Sequence, residues 1–257
     1  MASIFVTGSA DGLGQMAARL MVDAGHRVVL HARSAERAAE ALAAVPGAEA
    51  AVIGDLSSIK STCGVAEQVN RLGVFDAVIH NAGIGYRERG RGDTVDGLPA
   101  VFAVNTLAPY ILSARIDKPR RLVYLSSGMH RGADADLTDL TWSARRWNGS
   151  SAYAESKLHD VILAFALARQ WPDVLSNALE PGWVATKMGG PGAPDDLEAA
   201  PRTQVWLATS DDAAALVTGQ YFYHLQRRAA HPAASDPEVQ QRLLAACARI
   251  SGVAFPA

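Results

Sequence analysis

The sequence is poor in cysteine and shows no metal-binding pattern. Cys63 and Cys247 are the only two cysteines of 257 residues, and each lies within a segment of helical period. Two distant thiols favour unpaired cysteines over a disulfide framework. The seven histidines are not spaced with cysteines or acids as metal ligands usually are. We therefore expect neither a disulfide nor a metal site.

A surplus of charge and a long apolar run are also missing. The 24 lysines and arginines are balanced by 26 acidic residues, which gives a formal net charge of −2 and no basic field for nucleic acid. No apolar stretch approaches the roughly 20 residues that span a bilayer, and no charged and apolar leader precedes the first strand-like run at Ser3. The sequence thus predicts a cytoplasmic protein, without a membrane segment, whose partners are small molecules.

What the sequence does contain is the pattern of an ordinary globular α/β protein. The apolar fraction is 49% and the charged fraction 19%. Short β-branched runs alternate with segments of helical period along the chain. This alternation predicts one Rossmann-type domain over residues 1–257, a doubly wound parallel sheet with helices on both faces.

A glycine-rich turn follows the first predicted strand, residues 3–7. It contains Gly8, Gly12 and Gly14 and leads directly into a helical pattern. Glycines at such a place let the backbone approach a pyrophosphate, and the free N–H groups of the helix N-terminus favour its negative charge. Because the spacing Gly-x-x-x-Gly-x-Gly departs from the general dinucleotide fingerprint, ordinary turn glycines are the alternative.

Tyr153 and Lys157 lie four residues apart in a segment of helical period that continues to Pro172. At this spacing two side chains leave the same helix face, with Cβ atoms about 5–6 Å apart. The pKa of a free phenol is about 10, and a nearby ammonium favours its ionised form. We therefore expect Lys157 to lower the pKa of Tyr153 and to prepare it for proton transfer. A surface tyrosine followed by a solvated lysine is the alternative.

Four motifs occur in a consistent order along the chain: Thr7-Gly8-x-x-x-Gly12-x-Gly14, then Asn81-Ala82-Gly83, then Ser126-Ser127, then Tyr153-x-x-x-Lys157. Each follows its predicted strand or lies on its predicted helix. In this order they resemble the short-chain dehydrogenase/reductase family, and residues 128–150 resemble its retinol-dehydrogenase-like branch. The resemblance implies an oxidoreductase that transfers a hydride between a nicotinamide cofactor and a ketone, an aldehyde or an alcohol.

The resemblance assigns catalytic roles to Tyr153, Lys157, Ser127 and Asn105. Tyr153 exchanges a proton with the substrate oxygen, Ser127 hydrogen-bonds that oxygen, and Lys157 also holds the ribose. Asn105 would hold a water that links Lys157 to solvent, whereas a core asparagine bonded to its own helix is the alternative. Ser127 is chosen over Ser126 by analogy, because the residues alone barely separate the two.

The resemblance also implies a cofactor site along the carboxyl ends of the strands. Its expected residues are Gly8, Ser9, Asp11, Gly12, Leu13, Gly14, Arg33, Asp55, Leu56, Asn81, Ala82, Gly83, Tyr153, Lys157, Pro181, Gly182, Val184 and Thr186. Asp55 either contacts the adenine edge or belongs to the start of the next helix, for which Ser57 is the expected cap.

Arg33 decides the expected cofactor. An NAD site would place an acid about 20 residues after the glycine turn, on the ribose hydroxyls. This chain has His31-Ala32-Arg33 there, and a guanidinium forms charge-assisted hydrogen bonds with a 2′-phosphate. The sequence therefore favours NADP, and the nearby Glu36 keeps NAD as the alternative.

Three loops are expected to form the substrate pocket: residues 84–98, 128–150 and 187–200. Five aromatic residues suggest an apolar pocket for a bulky carbonyl compound, namely Tyr86, His130, Trp142, Trp147 and Trp183. Packing is the alternative role for the tryptophans. The segment after Asn105 is shorter than is usual in the resembled family, where it contributes to a dimer interface, so the oligomeric state is left open.

Two other functions are compatible with this type of fold. A regulator that senses NADP without chemistry is one, although such proteins usually lose the tyrosine or the lysine, and both are present here. A nucleotide-sugar epimerase or dehydratase is the other. That group carries a larger C-terminal substrate domain, for which the residues after Tyr223 leave little room.

Overall fold

The computed structural model describes residues 1–87 and 90–256, and in this part of the chain the strands form one sheet of order β3-β2-β1-β4-β5-β6-β7-β8. The strands are β1 Ser3–Val6, β2 Arg27–Ala32, β3 Ala50–Ile53, β4 Ala77–His80, β5 Arg121–Leu125, β6 Leu175–Glu180, β7 Tyr221–Tyr223 and β8 Gln226–Arg228. All pairings up to β7 are parallel, and β8 pairs antiparallel with β7. The predicted doubly wound sheet is confirmed, with one additional antiparallel edge strand.

Helices connect the strands. They are α1 Gly12–Asp23, α2 Ala35–Ala44, α3 Ile59–Arg71, α4 Ala100–Phe102, α5 Ala108–Arg115, α6 Gly149–Gln170, α7 Arg202–Thr209 and α8 Pro237–Ser251. A π-helical turn, Ala103–Leu107, joins α4 to α5. Side chains cap the helices that carry the expected motifs: Asp11 caps α1, Ser34 caps α2 and Asn148 caps α6.

Two apolar layers cover the two faces of the sheet. In β1, Ile4 packs with α1 and α7 on one face, while Phe5 packs with α3, α5 and α6 on the other. Successive strand residues point to opposite faces, so a strand buried on both sides is apolar throughout. This explains why the first strands read as unbroken apolar runs.

The C-terminal helix α8 completes the second layer by packing against α5 and α6. The Tyr110 hydroxyl donates a hydrogen bond to the Val253 carbonyl oxygen, 2.8 Å away. The Phe255 ring packs against Trp171, with 5.0 Å between ring centroids. These contacts give a packing role to a segment in which the sequence shows no chemical motif.

The chain reverses its progress across the sheet at β1, because β2 and β3 lie on one side of that strand and β4 lies on the other. Ligands of open α/β sheets bind in the crevice outside the carboxyl ends of the strands at such a point. The glycine turn follows β1 and the turn of residues 81–83 follows β4. Both therefore border this crevice.

Two local expectations are wrong. The apolar run of residues 51–56 predicts the third strand, but β3 ends at Ile53. Ser58 rather than Ser57 caps α3, because the Asp55 carboxylate accepts the Ser57 N–H at 2.9 Å and so adds a turn before the helix. The β7–β8 hairpin is absent from the sequence prediction because His224 and Leu225 occupy its turn at φ values of 45° and 65°. Glycine or asparagine is the usual signal for such a turn.

Both cysteines are free thiols, Cys247 buried and Cys63 half-buried. Within residues 1–87 and 90–256, no group of three or more histidine, cysteine or acidic side chains is arranged to hold a metal ion. No helix in the same residues is both long enough and apolar enough to cross a membrane.

Candidate active site

The glycine turn is held tightly against the turn that follows β4. Gly8 has a φ of +62°, and a Cβ on it would lie 2.8 Å from the Cα of Ala82. The Asn81 amide donates to the carbonyl oxygens of Thr7 at 3.0 Å and Gly8 at 3.1 Å. The Thr7 hydroxyl oxygen in turn accepts the N–H groups of Asn81 and Ala82, each at 3.0 Å. The glycine turn and the turn of residues 81–83 together form a cradle. The Asn81 side chain supports this cradle rather than facing a ligand.

His31 is a further support of the glycine turn that sequence reasoning missed. Its Nδ1 accepts the Gly8 N–H at 3.0 Å, so its proton lies on Nε2, which donates to the Gly54 carbonyl oxygen at 2.9 Å. Burial lowers the pKa of His31 to about 4. The neutral ring thus ties the ends of β1, β2 and β3 together. The only signal in the sequence is a histidine inside an apolar strand.

The residues of the glycine turn divide between structural and ligand-facing roles. The Ser9 hydroxyl is buried, donates to the Val6 carbonyl oxygen at 2.9 Å and accepts the His31 N–H at 2.8 Å, so only its backbone can face a ligand. Asp11 accepts the Gly12 N–H at 2.7 Å and pairs with Lys187. The Lys187 ammonium holds the pKa of that carboxyl below its usual value. Leu13 lines the adjacent cavity.

Two arginines lie near the glycine turn, one directly after β2 and one in the first turn of α2. Arg33 directly follows β2 and is exposed. Arg37, which the sequence argument did not use, donates to the Ala10 carbonyl oxygen at 3.3 Å and lies 3.5 Å from the Asp11 carboxylate. Glu36 is exposed, and hydrogen bonds to its own N–H and to Ser34 lower the pKa of its carboxyl. The edge beside the glycine turn thus presents guanidinium groups.

The two residues expected after β3 separate in the structure. Asp55 is exposed at the carboxyl end of the strand, where its Oδ1 accepts the Ser57 N–H. The Leu56 side chain is buried in the core. Only the backbone of Leu56 is thus left to contact a ligand, while the Asp55 carboxylate keeps free acceptor capacity.

Tyr153 and Ser127 line a cavity of about 690 Å³ at the carboxyl ends of β5 and β6. The two serines expected there differ in their partners. The Ser126 hydroxyl is buried and donates to the Lys157 carbonyl oxygen at 2.7 Å. The Ser127 hydroxyl lies beside the Tyr153 phenol and favours its ionised form. The geometry therefore separates two residues that the sequence barely distinguishes.

Lys157 acts on Tyr153 in the expected direction and favours its ionised form, but the net shift of the Tyr153 pKa is upward. Burial raises the pKa of the phenol, and the opposing effects of Lys157 and Ser127 do not overcome it. The ammonium lies 5.9 Å from the centre of the phenol ring, a moderate distance. In the structure Tyr153 is thus a protonated phenol at neutral pH.

Lys157 has partners that the sequence argument did not assign. Its ammonium donates to the Leu125 carbonyl oxygen at 2.7 Å and to Asp160 Oδ2 at 2.8 Å. Burial disfavours its charge, but the Asp160 carboxylate and Tyr153 together raise the pKa of Lys157. Lys157 is therefore a fixed ammonium with one N–H left for a further acceptor.

Asn105 lies in the π-helical turn and is fully buried. Its Nδ2 donates to the Ile84 carbonyl oxygen and to the Ser156 hydroxyl, both at 3.0 Å, and its Oδ1 accepts the Ile84 N–H at 2.9 Å. The alternative of an asparagine bonded to its own helix is wrong. Asn105 joins the loop after residue 83 to α6, and π turns of this kind frequently occur at functional sites.

The segment after β6 forms the wall of the cavity opposite Tyr153. The expected residues Pro181, Gly182, Val184 and Thr186 all line it. The Thr186 hydroxyl oxygen accepts the Gly189 N–H at 3.2 Å and keeps its own proton for a ligand. Met188 lies across the site, where its sulfur accepts the Tyr153 hydroxyl at 3.8 Å.

Each of the three expected loops contributes only part of the cavity wall. The lining residues are Tyr86 from the first, Gly128, Met129 and Arg131 from the second, and Met188, Gly189 and Asp195 from the third. Residues 88 and 89 of the first loop lie outside the described residues. Tyr223 and Arg228 of the β7–β8 hairpin also line the cavity, and sequence reasoning missed both.

The expected aromatic residues also divide. Tyr86 packs edge-on against Tyr153, with ring centroids 5.7 Å apart, and Trp183 lines the cavity with 54% of its surface exposed. His130 is buried behind the cavity against Tyr221. Trp142 and Trp147 pack against each other in a separate apolar cluster. The last three residues were wrongly expected in the pocket.

Comparisons with known proteins identify the family of the chain. A family model described as short chain dehydrogenase matches residues 2–128. An uncharacterized oxidoreductase of Emericella nidulans is 48% identical, covering 100% of this chain and 99% of the relative. A short-chain dehydrogenase of Penicillium rubens is 41% identical over all of both chains.

More distant relatives extend the comparison to the predicted branch and to the fold. Human retinol dehydrogenase 13 is 31% identical, covering 99% of this chain and 86% of the relative. A crystal structure of an uncharacterized protein from Mycobacterium paratuberculosis has a TM-score of 0.87 at 24% identity and covers 100% of this chain and 96% of its own. The chain belongs to the short-chain dehydrogenase/reductase family and has retinol-dehydrogenase-like relatives.

Proposed function

We propose that this protein is an NADP(H)-dependent oxidoreductase that interconverts a ketone or aldehyde and the corresponding alcohol. The observation that carries the proposal is the position of the Tyr153 phenol. It lies beside the Ser127 hydroxyl, in a cavity that also contains Leu13 of the glycine turn and Thr186. A proton donor, a hydrogen-bond donor and a dinucleotide cradle therefore share one crevice.

The residues of the crevice fit a nicotinamide dinucleotide. The cradle is so tight that a Cβ on Gly14 would lie 2.6 Å from the Gly8 carbonyl oxygen, and the N-terminus of α1 directs free N–H groups at it. Residues of the glycine turn would hold the pyrophosphate, Lys157 the ribose and Thr186 the carboxamide. When bound, the nicotinamide ring supplies or accepts the hydride.

The side chains account for the proton chemistry. In the direction of reduction, Tyr153 donates its proton to the carbonyl oxygen as negative charge develops there, and Ser127 donates a hydrogen bond to the same oxygen. Lys157 stabilises the phenolate that Tyr153 leaves behind, because its ammonium stays charged. Asn105 holds the loop at Ile84 against α6.

Arg33 and Arg37 support NADP over NAD. Arg33 directly follows β2 and is exposed, and Arg37 reaches the Ala10 carbonyl oxygen of the glycine turn, so both are candidates to contact a ribose 2′-phosphate. Guanidinium groups bind phosphate through charge-assisted hydrogen bonds. The Glu36 carboxylate is engaged with its own N–H and with Ser34, so it offers less to ribose hydroxyls than an unengaged acid would.

The lining of the cavity supports a bulky, largely apolar carbonyl compound as substrate. Tyr86, Trp183, Met188 and Tyr223 supply aromatic and thioether surface around the reacting groups. The ion pair between Arg131 and Glu180, 2.7 Å long, forms a polar part of the same wall. The cavity of about 690 Å³ would hold the nicotinamide end of the cofactor together with the substrate.

The experiment that tests the function replaces Tyr153 with Phe. Reduction of a panel of aromatic ketones and aldehydes is followed by the loss of NADPH absorbance. We expect turnover to fall by about 10²–10⁴-fold, as for removal of a positioned acid, while NADPH binding measured by fluorescence stays within a few-fold. Unchanged turnover in the variant would remove Tyr153 from the mechanism.

A further inference from the structure

Asp160 is a buried carboxylate for which the proposed function has no use. It lies one helical turn after Lys157 in α6, and only 2% of its side chain is exposed. Its Oδ2 is 2.8 Å from the Lys157 ammonium, of which only 5% is exposed. Burying two charges is costly unless they are paired, so each side chain fixes the other in this position.

The pair changes the electrostatic environment of the phenol. An ammonium alone would favour the Tyr153 phenolate, and a carboxylate paired with that ammonium offsets part of this effect. Asp160 acts on Tyr153 in the direction opposite to Lys157. Together with burial, the carboxylate thus keeps the proton on the phenol.

We propose that Asp160 is a positioning residue that fixes the Lys157 ammonium and, by opposing its charge, sets the alkaline pH at which Tyr153 loses the proton that it donates in carbonyl reduction. The inference rests on the proposed function, because it concerns the proton that Tyr153 would donate to the carbonyl oxygen. Reduction requires the phenol to hold a proton that it can donate.

The other titratable groups near the pair supply no competing charge. Tyr153 and Lys157 face Asp160 from α6 itself, Tyr124 faces it from β5, and Tyr86 adjoins Tyr153 from the loop after β4. Burial raises the pKa of Tyr124, whose hydroxyl lies 2.7 Å from that of Ser113, so this phenol stays neutral.

The two neighbouring histidines are neutral as well. Burial lowers the pKa of both His80, which stacks on Tyr124, and His159 to about 3. The charge that acts on Tyr153 from this side is therefore that of the Lys157 and Asp160 pair.

Asp160 also confers a dependence on pH. Burial raises the pKa of Asp160 to about 7, against the opposing effect of Lys157. Once Asp160 is protonated, the ammonium is no longer compensated and its effect on Tyr153 increases. Replacing the carboxylate by an amide reproduces that state at every pH, and the amide oxygen still accepts a hydrogen bond from Lys157.

The kinetic test compares Asp160→Asn with the wild-type protein across the pH range in which each is stable. The rate of NADPH-dependent reduction falls at alkaline pH where Tyr153 loses its proton. We expect this alkaline limb of kcat to move down by about one pH unit in D160N, the size of the effect of one unit charge at this range in a protein interior. D160E, which restores a carboxylate, should return the limb toward the wild-type position.

The matched control removes another buried carboxylate of the same helix. Glu155 faces away from the phenol and pairs with Arg145, whose Nη1 lies 2.8 Å from Glu155 Oε1. Glu155→Gln should leave the alkaline limb where it is in the wild-type protein. A D160N limb that coincides with that of the wild type, or an E155Q limb that moves as far, overturns the role of Asp160.

A second measurement is independent of turnover. Proteins labelled with a carbon isotope at tyrosine Cζ report the ionisation of each phenol by NMR, and Y153F identifies the Tyr153 signal. We expect Tyr153 to ionise at a lower pH in D160N than in the wild-type protein. A wild-type signal that already titrates near neutrality overturns the proposal even if D160N does not fold. A shifted signal in a protein that reduces no carbonyl compound would instead refute the proposed function alone.

Discussion

The two halves of the crevice are formed by different parts of the residues: backbone groups in one half and large side chains in the other. Around β1 and β4, backbone groups and small residues form the cradle, and Asn81, Thr7 and His31 hold it from behind through hydrogen bonds. Around β5 and β6, large side chains form the cavity, and they come from three loops and a hairpin. Substitutions in the first half would move the backbone, whereas the second half can be altered one side chain at a time.

This difference fits what each half would recognise under the proposed function. A pyrophosphate is met by backbone N–H groups, which any residue supplies but which only glycine allows to come close. A substrate of variable shape is met by side chains on loops, which tolerate substitution. We therefore expect changes in the cradle to abolish cofactor binding and changes in the cavity wall to alter which substrates bind.

The largest effect should come from filling the cradle. A Cβ on Gly14 would lie 2.6 Å from the Gly8 carbonyl oxygen and closer still to the Asn81 amide, so the backbone has to move. We expect Gly14→Ala to weaken NADPH binding, measured by fluorescence, by about 100-fold or more and to lower the free energy of unfolding by about 1–3 kcal/mol.

The matched control is a glycine in open space. Gly64 lies in α3 and a Cβ on it would meet nothing within 4 Å. Gly64→Ala should raise the free energy of unfolding by about 0.5–1 kcal/mol through helix propensity and leave NADPH binding unchanged. Normal NADPH binding by the Gly14 variant would show that the cradle is looser than the structure indicates.

The next effect concerns the edge of the cradle, where the proposed function assigns selection of the cofactor to charge. Removal of a charged hydrogen bond to phosphate costs about 1.5–3 kcal/mol, which is roughly 10–100-fold in affinity. We expect Arg33→Ala to lose this much affinity for NADPH while affinity for NADH stays the same, and Arg37→Ala to show a smaller loss of the same kind. Titrations with the two cofactors measure it.

Arg71, an exposed arginine at the end of α3, provides the control for net charge. Arg71→Ala should leave the ratio of the two affinities at its wild-type value. An Arg33 variant that loses NADPH and NADH equally would assign the arginine to general stability, not to recognition of the 2′-phosphate.

His31 makes the cradle sensitive to acid. Burial lowers the pKa of this histidine from 6.5 to about 4, so the unfolded chain takes up a proton before the folded protein does. Its contribution to stability is complete above pH 6.5 and is lost as the pH falls from 6.5 to 4, by about 1.4 kcal/mol per pH unit. Urea unfolding at a series of pH values measures this slope.

His31→Asn tests the assignment, because the amide oxygen can accept the Gly8 N–H but does not titrate. Between pH 6.5 and 4 the free energy of unfolding should fall less steeply with decreasing pH in the variant than in the wild-type protein. The two slopes should differ by the amount that one bound proton contributes. Equal slopes in both proteins would mean that His31 takes up its proton in the folded state as readily as in the unfolded chain.

The same contrast explains which parts of the site sequence reasoning could reach. Gly8, Gly14, Tyr153 and Lys157 were predictable because each role depends on spacing within one turn or one helix. The partners of those residues are set by tertiary packing. That Asp160 is buried against Lys157 depends on β5 and on the depth of α6 in the core, and neither is visible in a helical period.

The cavity wall was the least predictable part for a physical reason. Tyr223 and Arg228 reach it through a hairpin whose turn residues, His224 and Leu225, give no turn signal. Trp142 satisfied the expectation of a bulky aromatic residue but packs under Arg145, with 3.7 Å between the guanidinium and the ring centre. From the sequence alone, an aromatic residue in a loop is equally compatible with packing in an apolar cluster and with lining a ligand cavity.

The smallest expected effect lies in this wall. The Met188 sulfur is within 3.8 Å of the Tyr153 hydroxyl, so a substrate oxygen has to displace it before Tyr153 can donate a proton. Met188 is half-buried in a loop, and its removal leaves the sheet and both apolar layers intact. We expect Met188→Ala to change stability by less than about 1 kcal/mol and to alter KM by a few-fold, in favour of larger carbonyl compounds.

Steady-state kinetics with carbonyl compounds of graded size measure this change, with NADPH affinity as the control. Because the Met188 side chain belongs to the cavity wall and not to the cradle, affinity for the cofactor should stay within a few-fold of the wild-type value. If Met188→Ala lost as much affinity for NADPH as Gly14→Ala does, the two halves of the crevice would not be separable. A flexible side chain would then contribute as much to cofactor binding as the backbone of the cradle does.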